Sequence, residues 1–118
     1  MKLFQYAMFA LVLSVFTVAL AIAEDCPKYK MDAVGSGWAV DKSEAKAEAA
    51  ALEMAKEDGV TSCLDLLQAR CEFAGCKLPT NVKAPTAKAY TDFCYQDSND
   101  KDWTCVAGSD SKCSAQCE

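Results

Sequence analysis

Residues 41–75, DKSEAKAEAAALEMAKEDGVTSCLDLLQARCEFAG, hold the decision on which the fold turns: where helix begins and ends, and which way its cysteines face. Asp41 can cap a first turn, and Glu44 three residues on completes a capping-box-like pair. The run to Asp58 is rich in Ala, Glu, Lys, Leu and Met, the residues of highest helix propensity. Gly59 is placed to end this first helix in the left-handed conformation. Ala47, Ala50, Ala51 and Met54 form a stripe of mostly small residues, suited to lying close against a sheet within the same chain rather than forming a dimer seam. Thr61 or Ser62 then caps a second helix that stops near Gly75, with Leu64, Leu67 and Cys71 on one stripe. Cys63 and Cys71 are separated along such a helix by about 12 Å, beyond disulfide reach, so each must bond a different partner elsewhere.

Upstream, Tyr29–Val40 alternates as a strand. Val34, Trp38 and Val40 fall on one face; Met31, Ala33 and Ala39 fall on the other. Gly35 and Gly37 permit a bulge or the close approach of another backbone. This Gly-x-Gly lacks the further glycines or the Gly-Lys-Ser/Thr ending of a phosphate loop.

Downstream, residues 76–88 (CKLPTNVKAPTAK) read as an exposed, slightly basic loop interrupted by Pro79 and Pro85. A C-terminal hairpin follows, with strands AYTDFCYQ and WTCVA joined through DSNDKD. Centring the turn on Asn99-Asp100 sets Phe93 opposite Val106, Cys94 opposite Cys105 and Tyr95 opposite Thr104. It also places Tyr90 and Trp103 on the face of the two cysteines. A direct cross-strand bridge is open to this pair, but the favoured reading turns both inward to bind the helices or the tail. The tail, GSDSKCSAQCE, is nearly devoid of large apolar residues, so covalent bonds must hold it. The acidic turn has Lys101 at a ligand position and no closing Glu, which makes it a solvated turn rather than a calcium loop.

The chain opens with one positive charge, Lys2, and an apolar run from Ala7 to Ala23 broken by Ser14 and Thr17, with Ala21 and Ala23 as an A-x-A exit. That pattern makes residues 1–23 a secretory signal peptide, cut after Ala23. Asp25, directly before Cys26, is not the small residue that lipid modification of the cysteine requires. The remaining residues, 24–118, form one domain with eleven basic and seventeen acidic side chains, a net charge of −6.

All eight cysteines, Cys26, Cys63, Cys71, Cys76, Cys94, Cys105, Cys113 and Cys117, lie in that part. In a short exported chain an even count implies a disulfide framework. There is no His and no C-x-x-C pair, so neither zinc-site nor thioredoxin-type spacing is present. Without His, no Ser-His-Asp or Cys-His pair can form. No cofactor or metal is expected. The acidic balance, with Lys77, Lys83 and Lys88 in one loop as the only basic grouping, argues against nucleic acid and, once the leader is cut, against membrane.

The expected fold class is α+β: a small disulfide-rich domain with an N-terminal strand, two helices and a C-terminal β-hairpin. The expected function is a secreted or periplasmic binding module without catalytic activity, its partner an extracellular protein. The alternatives are an inhibitor of a secreted hydrolase presenting residues 77–88, or a small hydrolase using carboxylates such as Asp92 or Asp97.

Overall fold

The structure, a computed structural model, describes residues 25–118; the leader read at residues 1–23 lies outside the described residues. Four elements follow one another: β1 (Lys28–Asp41), α1 (Glu44–Phe73), β2 (Thr86–Gln96) and β3 (Trp103–Gln116). The class is α+β with a three-stranded antiparallel sheet ordered β1-β3-β2.

The first correction concerns the helix. The described residues contain one helix of 30 residues where two were expected. Its N-cap is Ser43, in extended conformation, whose Oγ accepts from the Lys46 amide. Asp41, the expected cap, sits two residues early and accepts from the Ser43 amide. Gly59 is buried in mid-helix and ends nothing. A mid-helix glycine costs about 1 kcal/mol relative to alanine. Here that cost is offset by contact, because Gly59 lies against the Gly35 backbone and the Ser109 hydroxyl, where a side chain would not fit. The true stop is at Gly75, with φ +78°. The Gly75 amide bonds the Glu72 carbonyl and the Cys76 amide bonds the Cys71 carbonyl, the paired pattern of a Schellman motif.

The second correction concerns the tail. Residues 108–116, read as a polar appendage, continue β3, the central strand of the sheet. β3 pairs along its whole length with β1, from Lys28↔Gln116 to Asp41↔Trp103, and its odd-numbered residues from Cys105 to Ala115 are buried. Small side chains fill this strand because the helix lies directly on it.

A length match explains the packing. Four residues of helix advance about 6 Å, and two residues of strand advance about 6.6 Å. A row spaced by four on α1 therefore keeps step with a row spaced by two on β3. The buried helix residues are Ala47, Ala51, Ala55, Gly59, Cys63, Leu67 and Cys71, each four after the last. Their counterparts are Cys105, Ala107, Ser109, Ser111, Cys113, Ala115 and Cys117. The row drifts around the helix by about 40° per step, and the twist of the strands follows it. Of the expected stripe, Ala47 and Ala51 are buried, while Ala50 and Met54 face solvent.

All eight cysteines are bonded, as Cys26–Cys76, Cys63–Cys113, Cys71–Cys117 and Cys94–Cys105. Cys63 and Cys71 do take different partners, and both bonds join the helix to the C-terminal part of the chain. The two rungs fit together because eight helical residues and four strand residues cover nearly the same distance, about 12 and 13 Å. Cys94 and Cys105 do turn inward toward the helix, but they bond each other across the hairpin, with Cα atoms 4.1 Å apart, and not the helix or the tail as the favoured reading had it. Their close approach is that of a non-hydrogen-bonded pair. The hairpin register itself is as expected: Phe93↔Val106, Cys94↔Cys105 and Tyr95↔Thr104.

Two serines sit fully buried between helix and sheet. The Ser109 hydroxyl donates to the Ala55 carbonyl at 2.6 Å, whereas the Ser111 hydroxyl has no hydrogen-bond partner among the described residues. Ser109→Ala should lower unfolding free energy by about 1 kcal/mol, and Ser111→Ala should be neutral or stabilising. Urea melts of the two variants measure the contrast, and equal losses would contradict it.

Candidate functional site

The odd-numbered residues of β1 and β3 face the helix, and the even-numbered ones face away. The outward face carries large side chains on all three strands. One residue in β2 brings this about. The register shifts between Thr91 and Phe93, leaving Asp92 as the extra residue of a β-bulge. Before the bulge, even-numbered β2 residues face outward, so Tyr90 does. After it the parity inverts, so Phe93 and Tyr95 face outward and Cys94 turns toward the helix side to meet Cys105. Tyr90 therefore does not share the cysteines' face, as had been expected, whereas Trp103 packs on that side with them.

Three rows of this open face follow from the register: Ser36–Gly108–Tyr90, Trp38–Val106–Phe93 and Val40–Thr104–Tyr95. The Tyr90 ring lies across Gly108, so close that a Cβ there would meet its hydroxyl at 2.7 Å. Phe93 and Tyr95 stack with ring centroids 6.2 Å apart. Trp38 is 63 % exposed, Phe93 55 %, Tyr95 52 % and Tyr90 46 %, so each ring has one side packed on the sheet and the other in solvent. Val34 and Val40 extend the patch along β1. Half-exposed aromatics at 150–250 Å² each leave roughly 400 Å² of ring surface in contact with water. That is within the range of the largest patch on a typical monomer, which is frequently functional.

Charge is divided along the strands. Beyond the aromatic rows, toward Lys28 and Gln116, the face carries Lys28, Lys30, Lys88 and Lys112, with Asp32 and Asp110 between them. Lys30, Lys83 and Lys112 line a cleft of about 490 Å³ together with Thr86, Ser114 and one acidic residue, Asp32, the cross-strand neighbour of Lys112. Strand pairing thus builds a basic region that the loop lysines alone did not reveal. At the opposite end stands the turn with Asp97, Asp100 and Asp102. Asp97 and Asp100 each accept a backbone amide from two residues ahead, Asn99 and Asp102 respectively.

The other residues singled out from sequence fall elsewhere. The eight cysteines are crosslinks. The segment 76–85 is tied down rather than presented: Lys77 and Glu118 exchange two backbone hydrogen bonds, Leu78 and Val82 pack against the Cys63–Leu67 cluster, and Thr86–Lys88 already belong to β2. Asp92 belongs to the bulge and Asp97 to the turn, and neither lines the basic cleft. Sequence reading missed the open face because it depends on the bulge, which shifts aromatic residues between faces and leaves no local compositional mark. Among the described residues no helix is long and apolar enough to cross a membrane. The four disulfides are consistent with an oxidising compartment. No protein-family model, no curated protein and no solved structure matches the chain.

Proposed function

We propose that the chain is an exported protein-interaction module that recognises its partner through the open face of the sheet. The leader on residues 1–23 would deliver it to an oxidising compartment, where the four bridges close. The observation that carries this reading is the gathering of Trp38, Tyr90, Phe93 and Tyr95 on one solvent-facing surface, each about half exposed. Aromatic residues on a rigid element supply contact area at little conformational cost, and they dominate interface energetics. The sheet beneath them is held by the helix and the crosslinks, so the surface is preorganised for binding.

The test is a photo-crosslinking amino acid placed at Trp38 or Phe93, with Glu57 on the exposed side of the helix as control, in protein recovered after export. Such material should begin at Glu24. Adducts are expected from positions 38 and 93 and not from 57. Adducts formed equally from all three positions, or from none, would remove this reading.

A further inference from the structure

Lysines at the Lys28–Gln116 end of the open face are only partly balanced. Lys112 stands opposite Asp32, and Lys88 opposite Asp110, so two rows carry cross-strand neighbours of opposite sign. The last two rows do not: Lys30 faces Ser114, and Lys28 faces Gln116. Lys83 joins them from the segment before β2, on the wall of the cleft shared by Lys30, Lys112, Asp32, Thr86 and Ser114. Three ammonium groups therefore meet one carboxylate there, in a chain that is acidic as a whole. Like charges held close repel one another, and a bound anion relieves the repulsion. The cleft is also braced. Cys113 on its floor is bonded to Cys63, and Val82, next to Lys83, packs on the Cys63–Leu67 cluster.

We infer that this cleft is a carboxylate-binding site, and that the protein partner seats Asp or Glu side chains in it while its apolar side chains cover the aromatic rows. The inference rests on the interaction reading above and names the partner's chemistry. Lys30 and Lys83 supply charge and donors, and the Thr86 and Ser114 hydroxyls can donate as well. Phosphate and sulfate groups are better matched by arginine forks and by clustered backbone amides. The single arginine, Arg70, lies over the Tyr29 ring on the helix side of the sheet, away from the cleft. Asp32 repels a dianion more strongly than a single carboxylate. At about 490 Å³ the cleft also has far more room than one inorganic ion fills, since a water's share of liquid volume is about 30 Å³. Ser114 stands six residues along β3 from Gly108, under the Tyr90 ring. That is about 20 Å, a distance that roughly six residues of extended partner chain cover.

Amide NMR of the oxidised, exported chain tests this, with a synthetic peptide titrated to millimolar concentration. The peptide carries three glutamates, a glycine–serine spacer of about six residues and a Leu-Phe-Leu end, and is made in both chain orders. At least one order should shift the amides of residues 30–32, 83–86 and 112–114. Lys30→Glu/Lys83→Glu should weaken binding about tenfold or more, and should instead bind the same peptide with lysines in place of glutamates. That exchange of preference also shows that the variant is folded. Lys46→Glu/Lys56→Glu, the same change of net charge on the exposed side of the helix, should leave the affinity as it was. No shift at the cleft, equal losses from both charge reversals, or a reversed cleft that ignores the lysine peptide would overturn the inference. So would inorganic phosphate or a sulfated polysaccharide that occupies the cleft at lower concentration than the peptide. Crosslinks from positions 38 and 93 with a cleft that takes no carboxylate would overturn it while leaving the interaction reading standing. Carboxylate binding at the cleft with no face-specific crosslink would support the anion site and remove the interaction reading.

Discussion

Reducing the four disulfides should unfold the chain at room temperature. The interior explains why. Among the described residues the fully buried side chains are alanines, cysteines and serines, and Leu67 is the only large one. Such a core removes little apolar area from water, and at about 25 cal/mol per Å² it contributes correspondingly little. The bridges act on the unfolded chain instead. Two close loops of 50 residues, one closes 46 and one closes 11. On the chain-entropy estimate each long loop contributes about 4 kcal/mol and the short one about 3. The contributions overlap because the long loops share chain, yet any two are comparable to the 5–15 kcal/mol that keeps a typical domain folded. Far-UV circular dichroism with and without reductant is the measurement. Guanidinium melts of Cys63→Ala/Cys113→Ala and Cys94→Ala/Cys105→Ala should show the larger loss for the first pair. A reduced chain that still melts cooperatively above room temperature would contradict the account.

Gly37→Ala is the second large effect, and strand propensity alone predicts the opposite sign. In a strand interior alanine is better than glycine by roughly 0.5–1 kcal/mol. At Gly37, however, a Cβ would sit 2.5 Å from the Ala51 carbonyl oxygen and the Ala55 amide nitrogen. At Gly35 it would collide with the Gly59 amide and the Ala55 carbonyl. These are helix backbone atoms, with no flexible side chain to swing aside, so α1 must lift from β1. Overpacking of this kind costs about 3 kcal/mol, and the loss should spread along the helix because Ala51, Ala55 and Gly59 belong to one buried row. Gly75→Ala is the control: nothing lies within 4 Å of its Cβ position, and only the positive φ opposes it. That substitution should cost about 1 kcal/mol. Denaturant midpoints of the three variants give the comparison, and a Gly37→Ala chain at least as stable as wild type would refute the close packing.

How much of this was legible in the residues depends on which physical rule each segment obeys. The hairpin register was readable because the spacing of Phe93, Cys94 and Tyr95 from Asn99-Asp100 mirrors that of Thr104, Cys105 and Val106. The helix was readable from propensity, and so was its end at Gly75. Its continuity through Gly59 was not, because local propensity marks glycine as a stop, and only the contact with Gly35 and Ser109 shows why glycine is needed there. The tail was misread for a related reason. Hydrophobic periodicity looks for large apolar residues, while β3 alternates alanine, serine and cysteine on its inner face because a helix in close contact leaves room for nothing larger. The α+β class survives these errors, since a strand, helix and hairpin are all present. The open aromatic face was hidden because its assembly rests on the single unpaired Asp92, and the preceding even-numbered alternation carries Tyr90 but not Phe93 or Tyr95 outward.

The matched rows of α1 and β3 also constrain how this architecture can change in length. Inserting one residue into the helix rotates every later inward position by about 100°, and inserting one into the strand exchanges its two faces. Growth or shrinkage that preserves the stacking must come in linked quanta: four residues in the helix, with two in β3 and two in β1. Lineages descended from a common ancestor should therefore differ in such coordinated blocks, whereas the 97–102 turn is free to vary by single residues.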